Sequence, residues 1–138
     1  LPFGDHGECL AFLTDALRAL AETEPHASVA LLARAPVTAD LYYEGLQRAG
    51  VDRLRRIKRQ DFAFAAGVEV TDIAQAKGLE FDYVVLLDVS ASSWPATDAA
   101  RRLLHVGATR AAHQLWVTSV GRASPLLPTT SSERPQAR

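Results

Sequence analysis

The sequence predicts an α/β fold layered on a mainly parallel sheet. Short continuous apolar runs, SVALLA at Ser28–Ala33 and YVVLLDV at Tyr83–Val89, have the pattern of strands buried on both faces of such a sheet. Segments with helical periodicity lie between the strand-like runs, and that alternation is the signature of parallel layered folds. With 138 residues the chain has the size of one ordinary domain.

Each element has its own signal. Between Gly7 and Pro25, Leu10, Phe12, Leu13, Ala16, Leu17 and Leu20 recur at helical spacing, with Asp15, Arg18 and Glu22 towards the other side. Pro25 stops that helix. Ser28–Ala33 is then a strand with Arg34 at its carboxyl end. Leu41, Tyr42, Leu46 and Ala49 predict a helix over Thr38–Ala49, with Gly50 placed as its C-terminal cap. Val51–Phe64, VDRLRRIKRQDFAF, alternates weakly around Leu54 and is an edge strand or extended loop. Val68–Ile73 alternates as a strand, and Tyr83–Val89 is the strongest buried strand. The loop between them, AQAKGLEFD at 74–82, is short for a crossover between parallel neighbours, so it must turn tightly, and Gly78 permits the turn. A helix is expected over Asp98–His113 and a last strand over Leu115–Val120. Beyond Gly121 the Pro-, Ser- and Thr-rich sequence lacks periodicity, which predicts a domain over 1–121 and a tail or linker over 122–138.

Composition narrows the function classes. A hydrophobic fraction of 48% and a charged fraction of 22% are globular averages. No apolar run approaches the roughly 20 residues that span a bilayer, and no signal segment opens the chain, so a soluble protein with no membrane partner is expected. One cysteine, Cys9, forms no internal disulfide, and a reducing cytoplasmic setting is the default. A net charge of -1 gives no global pull towards nucleic acid, so any such contact needs a local patch. The chain opens at Leu1 and contains no methionine, which predicts a piece of something longer. His6, His26, His105 and His113 have no partners at metal-ligand spacing, and no metal site is expected. Ser90, Ser92 and Ser93 lack the GxSxG elbow of a nucleophile. Asp88, at a strand end, is a minor candidate for magnesium or a phosphoryl group, without a neighbouring acid.

Three groups of residues carry candidate chemistry. On a helical wheel Arg110 falls in the apolar arc with Leu103, Leu104, Val106, Gly107, Ala108 and Ala111. A guanidinium there must be paired, reach solvent or meet an anionic ligand such as a phosphate, because it cannot lose its proton. Gly107, one turn earlier, leaves room for an approach. In the KGLE turn Lys77 can hold a phosphate as a point charge and Glu80 can accept from a sugar hydroxyl; alternatively it is a solvated turn. Arg53, Arg55, Arg56, Lys58 and Arg59 form a basic run that either neutralises a nucleic-acid backbone or protects a sheet edge.

The order VALLAR, VTDIAQAKGLEFDYVVLLD, ARRLLHVGATRAAHQLWV resembles the second RecA-like domain of superfamily 1 DNA helicases of the UvrD, Rep and PcrA type, over about Ser28 to Val117. The resemblance implies a three-layer RecA-like fold of the P-loop NTPase kind. It makes Arg34 and Arg110 the arginines of motifs IV and VI, both reaching the γ-phosphate of ATP across a cleft between two RecA-like domains. It makes Glu80 a ribose contact, with Lys77, Gly78 and Gly107 shaping the nucleotide side. Gln75 and the basic residues Arg53, Arg55, Arg56 and Lys58 become the candidates for single-stranded DNA. Asp72 and Ala74 stand where the family has threonine and a DNA-contacting histidine, His105 where it has tyrosine, and Asp40 where motif IV has a second arginine. Only 42 residues separate Arg34 from Lys77, so the large inserted domain of UvrD and Rep has no counterpart there. No GxxxxGK[ST] loop and no acidic magnesium motif are present. ATP with Mg2+ is therefore expected to be held mainly by an N-terminal RecA-like partner domain, and these residues alone are expected to be inactive. The rival expectation is a motor-inactive binding module; a receiver-like domain using Asp88 is weaker.

Overall fold

A computed structural model of the protein describes residues 1–58 and 66–128. In chain order the elements are β1 (Pro2–Phe3), α1 (His6–Thr23), β2 (Ser28–Ala33), α2 (Pro36–Arg48), β3 (Leu54–Arg56), β4 (Gly67–Asp72), a 3-10 turn (Ile73–Ala76), β5 (Phe81–Leu86), α3 (Asp98–Ala108), β6 (Ala111–Val117) and β7 (Ser119–Val120). Among the described residues the central sheet has five strands in the order β3-β4-β2-β5-β6, all parallel. β1 and β7 form a separate parallel pair.

Three layers follow from side-chain alternation along β2. Val29, Leu31 and Ala33 join Cys9, Leu13 and Leu17 of α1 and Ala39, Tyr42 and Leu46 of α2 in one core cluster. Ala30 and Leu32 point the other way, into a cluster with Ile73, Trp94 and Ala100, against which Leu103 and Leu104 of α3 pack. Leu31 and Leu32 are 0% exposed, each side chain contributing about 1.5–3 kcal/mol by leaving water. A one-residue slip of β2 would exchange the two cores, so its register is strongly specified.

The helix ends are set locally. Asp5 caps α1 by accepting from the Glu8 N–H at 2.8 Å, and Glu8 reaches back to accept from the Gly4 N–H at 2.8 Å. Such a cap contributes about 1 kcal/mol. Pro36 occupies the first turn of α2, where its missing N–H costs nothing. At the other end Gly50 adopts φ +81, its N–H donates to Gln47, and the Val51 N–H donates to Leu46 at 3.2 Å. That is the paired bond pattern of a Schellman cap.

Four expectations change. The loop after β4 does not join neighbours, because β2 lies between β4 and β5 and the loop crosses it. The last helix ends at Ala108 rather than His113, and the last long strand begins at Ala111 rather than Leu115. Pairing is the cause: Ala111 lies opposite Phe81, and the Phe81 N–H donates to the Arg110 carbonyl at 2.9 Å, so sheet formation overrides the helical preference of Arg110, Ala111 and Ala112. Residues 122–127 are not a loose tail, since Ser124 donates to the Trp94 carbonyl at 2.6 Å while Leu126 and Leu127 pack on the second core. The edge strand expected within Val51–Phe64 is β3; the remainder, 59–65, and the tail from 129 onward lie outside the described residues.

Tyr83 of β5 ties the sheet to the end of α1. Its hydroxyl donates to Glu24, and that bond, with burial, pushes its pKa from the ordinary 10.0 to about 12. A phenol whose folded-state pKa exceeds its unfolded value contributes stability that is complete below the unfolded value and lost as pH rises through the folded one. Unfolding free energy from urea titrations should therefore fall between pH 10 and about 12. Tyr83→Phe should flatten that slope, and an unchanged slope would show that the bond does not form in solution.

Candidate functional site

The KGLE segment is a type II turn. Lys77 has φ -58 and ψ 129, Gly78 has φ +82, and the Leu79 N–H donates to the Ala76 carbonyl at 3.0 Å. The third position of such a turn requires positive φ, and no atom lies within 4 Å of the place a Gly78 Cβ would take. Backbone conformation rather than space selects glycine here. Lys77 and Glu80 are both exposed, on either side of Gly78 and Leu79.

Arg110 grips the strand that follows this turn. It sits in the turn between α3 and β6, not on the helix face, and is half-buried. Its Nε donates to the Val106 carbonyl at 3.1 Å, Nη1 to the Leu79 carbonyl at 3.1 Å and Nη2 to the Thr109 hydroxyl at 3.2 Å. The Arg110 carbonyl in turn accepts from the Phe81 N–H. Glu80 is thus bracketed: the carbonyl before it and the N–H after it are both held by one residue. No carboxylate pairs with Arg110 among the described residues. One N–H on each terminal nitrogen has no protein acceptor there, which leaves the guanidinium able to meet an anion.

Arg34 lies elsewhere. It follows the carboxyl end of β2, where Nη1 donates to the Ser93 carbonyl at 2.7 Å and the guanidinium carbon stands 5.4 Å from the centre of the Trp94 ring. A cavity of about 340 Å³ beside it is also lined by Thr38, Asp88 and Ser93. Asp88 is buried at φ +52, accepts from the Ser93 hydroxyl at 2.8 Å and donates its N–H to the Thr118 hydroxyl at 3.2 Å. Leu32 aligns with Leu86 and Leu86 with Val117, whereas Phe81 aligns with Ala111. Arg34 and Arg110 therefore stand at opposite ends of parallel strands, on the order of 20 Å apart at about 3.3 Å per residue. This register sets the two arginines apart within the domain, where the resemblance implied that both reach one phosphate.

The basic run is largely engaged within the domain. Arg53 donates to the Pro25 carbonyl at 3.1 Å, Arg55 pairs with the buried Glu69 at 3.1 Å, and Arg56 pairs with Asp40 at 2.8 Å. Gln75 donates to the Lys58 carbonyl at 2.5 Å. Arg55 and Arg56 thus hold β3 to β4 and α2, in line with the sheet-edge alternative for this run, and only the Lys58 side chain of the four described basic residues is exposed with no ion pair or carbonyl of its own. Gly107 is buried; a Cβ there would lie 2.9 Å from Leu86 Cδ2 and 3.1 Å from Ile73 Cδ1, so close packing of α3 accounts for it. Sequence reasoning missed Thr109 and the Leu79 and Val106 carbonyls. Thr109 was visible inside VGATRA, but backbone acceptors leave no trace in a sequence.

Residues 67–118 match the family model of the UvrD-like helicase C-terminal domain, a span that runs from β4 through β6 and contains both the KGLE turn and Arg110. The fold is shared with the crystal structure of the C-terminal domain of a possible DNA helicase from Lactobacillus plantarum WCFS1, at a TM-score of 0.77 and 25% identity, over 91% of this chain and 74% of that one. No curated protein matches the chain. The parallel three-layer α/β fold is thus one that a helicase C-terminal domain also adopts. Over residues 67–118 the chain is similar to the UvrD-like helicase C-terminal domain. Among the described residues no helix is long and apolar enough to cross a membrane.

Gly78→Ala places a Cβ at positive φ and should cost about 1 kcal/mol or more. Urea unfolding measures the loss, and faster hydrogen exchange at the Leu79 amide locates it; no change in either would show that the turn is not as described.

Proposed function

We propose that this domain is the C-terminal motor half of an ATP-dependent DNA helicase and that it completes a nucleotide site with an N-terminal RecA-like domain of the same protein. The observation that carries the reading is the joining of KGLEFD and VGATRA into one corner through Arg110, Leu79 and Phe81. The residues there suit a nucleoside triphosphate: Arg110 retains N–H donors, Lys77 offers an exposed cation, and Glu80 offers an exposed carboxylate to ribose hydroxyls. In this reading magnesium and the phosphate loop belong to the partner domain.

ATP hydrolysis supplies the free energy for movement; this chain's part is a positioned guanidinium that meets charge growing on the transferring phosphoryl oxygens. Because Arg110 also holds Leu79 and Phe81, any pull on its guanidinium is felt at the start of β5 and in the turn before it. Cleft closing and opening would be coupled to single-stranded DNA by that route.

Arg34 takes a different role. Ligands of open parallel sheets bind beyond the carboxyl ends of the strands, and there Arg34 stands beside the first turn of α2, which has no side-chain cap. A DNA backbone phosphate is the contact we assign to it. The rival module reading draws on Asp72, Ala74 and the backbone partners of Arg110, which by themselves describe a structural clamp.

In the full-length protein Arg110→Ala should lower DNA-stimulated ATP turnover by about 10³-fold or more. Unchanged turnover would favour the module. Arg34→Ala should weaken single-stranded DNA binding and reduce the slope of log affinity against log salt by about 1, leaving turnover without DNA unchanged. An unaltered slope would remove Arg34 from the DNA surface.

A further inference from the structure

We propose that Thr109 is a positioning residue for Arg110, fixing the plane in which its guanidinium faces a phosphate. The inference rests on the reading of Arg110 given above and concerns how the side chain is held. Thr109 is the C-terminal capping residue of α3, where helical carbonyls have run out of N–H partners. Its hydroxyl lies 2.9 Å from the His105 carbonyl and 3.0 Å from the Val106 carbonyl. The hydroxyl proton is committed to that pair, so a lone pair is left for Arg110 Nη2, which donates to it at 3.2 Å.

The Val106 carbonyl receives Nε at 3.1 Å. The Nε–Nη2 edge is therefore accepted by two oxygens, Val106 O and Thr109 Oγ1, both on the last turn of α3. Two acceptors along one edge of a planar group fix its rotation, which a single carbonyl would not. Leu79 holds Nη1 from the opposite side. What remains is one N–H on each terminal nitrogen, with a direction set by Thr109. Without the hydroxyl the guanidinium keeps its charge, its reach and its bonds to Val106 and Leu79, but Nη2 loses its acceptor and the plane can tilt about the line between the two remaining bonds. A methyl group in the same place fills the same volume and accepts nothing.

Thr109 is exposed, so its replacement leaves the core intact and separates positioning from folding. Thr109→Val removes the acceptor at nearly constant shape, and Thr109→Ser restores it. In the chain itself the Nε–Hε resonance of Arg110 should be sharp and slowly exchanging in the wild type and in Thr109→Ser, and broadened in Thr109→Val, with equal melting behaviour in all three. In the full-length protein Thr109→Val should lower kcat for ATP by about 10- to 100-fold with little change in KM, and Thr109→Ser should stay close to the wild type. Arg110→Ala in the same assay separates the two levels. If it removes turnover while Thr109→Val behaves as wild type, Thr109 does not position it and the inference fails alone. Equal losses in the Val and Ser variants would also overturn it. If Arg110→Ala leaves turnover unchanged, the reading of Arg110 fails and the inference fails with it.

Discussion

A guanidinium cannot give up its proton, and Arg110 is drawn half out of water where α3 ends and β6 begins. Backbone carbonyls solvate it in place of water, one from Val106 on the helix and one from Leu79 in the turn before β5. Hydrogen bonds to a charged group contribute more than neutral ones, about 1.5–3 kcal/mol each where water is excluded, and they are directional. The end of the helix, the turn and the first residues of two adjacent strands are consequently drawn to one corner. Since β4 and β5 are separated by β2, the chain must cross the sheet between Asp72 and Phe81, and Arg110 determines where that crossing arrives. A type II turn at Lys77–Gly78 lets the crossing change direction just before it is gripped.

Charge elsewhere is spent on the architecture. Arg55 meets Glu69 on the neighbouring strand, and Arg56 meets Asp40 on α2 while also donating to the Ile57 carbonyl. These contacts tie the three-residue β3 to the sheet, and they leave a short, basic edge that disfavours pairing with another chain. Asp40, a departure from the helicase pattern, is the counter-ion that Arg56 uses. At the carboxyl ends of the strands a second polar group forms, with Asp88 held at positive φ by Ser93 and Thr118 beside Arg34. The domain thus has two polar ends separated by the length of its strands.

Much of the fold was legible because the signals were local. SVALLA is β2 residue for residue, and the apolar spacing of Leu13, Leu17, Tyr42 and Leu46 marks the buried faces of α1 and α2. The join between α3 and β6 was not legible, since Ala111 and Ala112 favour a helix on their own and the decision is made by Phe81 across the sheet. The site was half legible. KGLEFD with VGATRA pointed to one corner, and the structure brings those segments together. Arg34 could not be separated from them without the strand register, which no linear spacing contains. The sequence left the two readings of the basic run open for a similar reason, because its partners Glu69 and Asp40 lie on other elements, and Pro25 contributes only a carbonyl.

The central claim is that the Arg110 corner, and not the Arg34 end, faces the nucleotide. A crystal structure of the full-length protein with a non-hydrolysable ATP analogue measures it directly. The Arg110 guanidinium should lie about 3 Å from a γ-phosphate oxygen, with Glu80 at the ribose and Arg34 remote from both. Arg110 still bonded only to Val106, Leu79 and Thr109 while the analogue is bound in the interdomain cleft, or the γ-phosphate resting on Arg34, would contradict it.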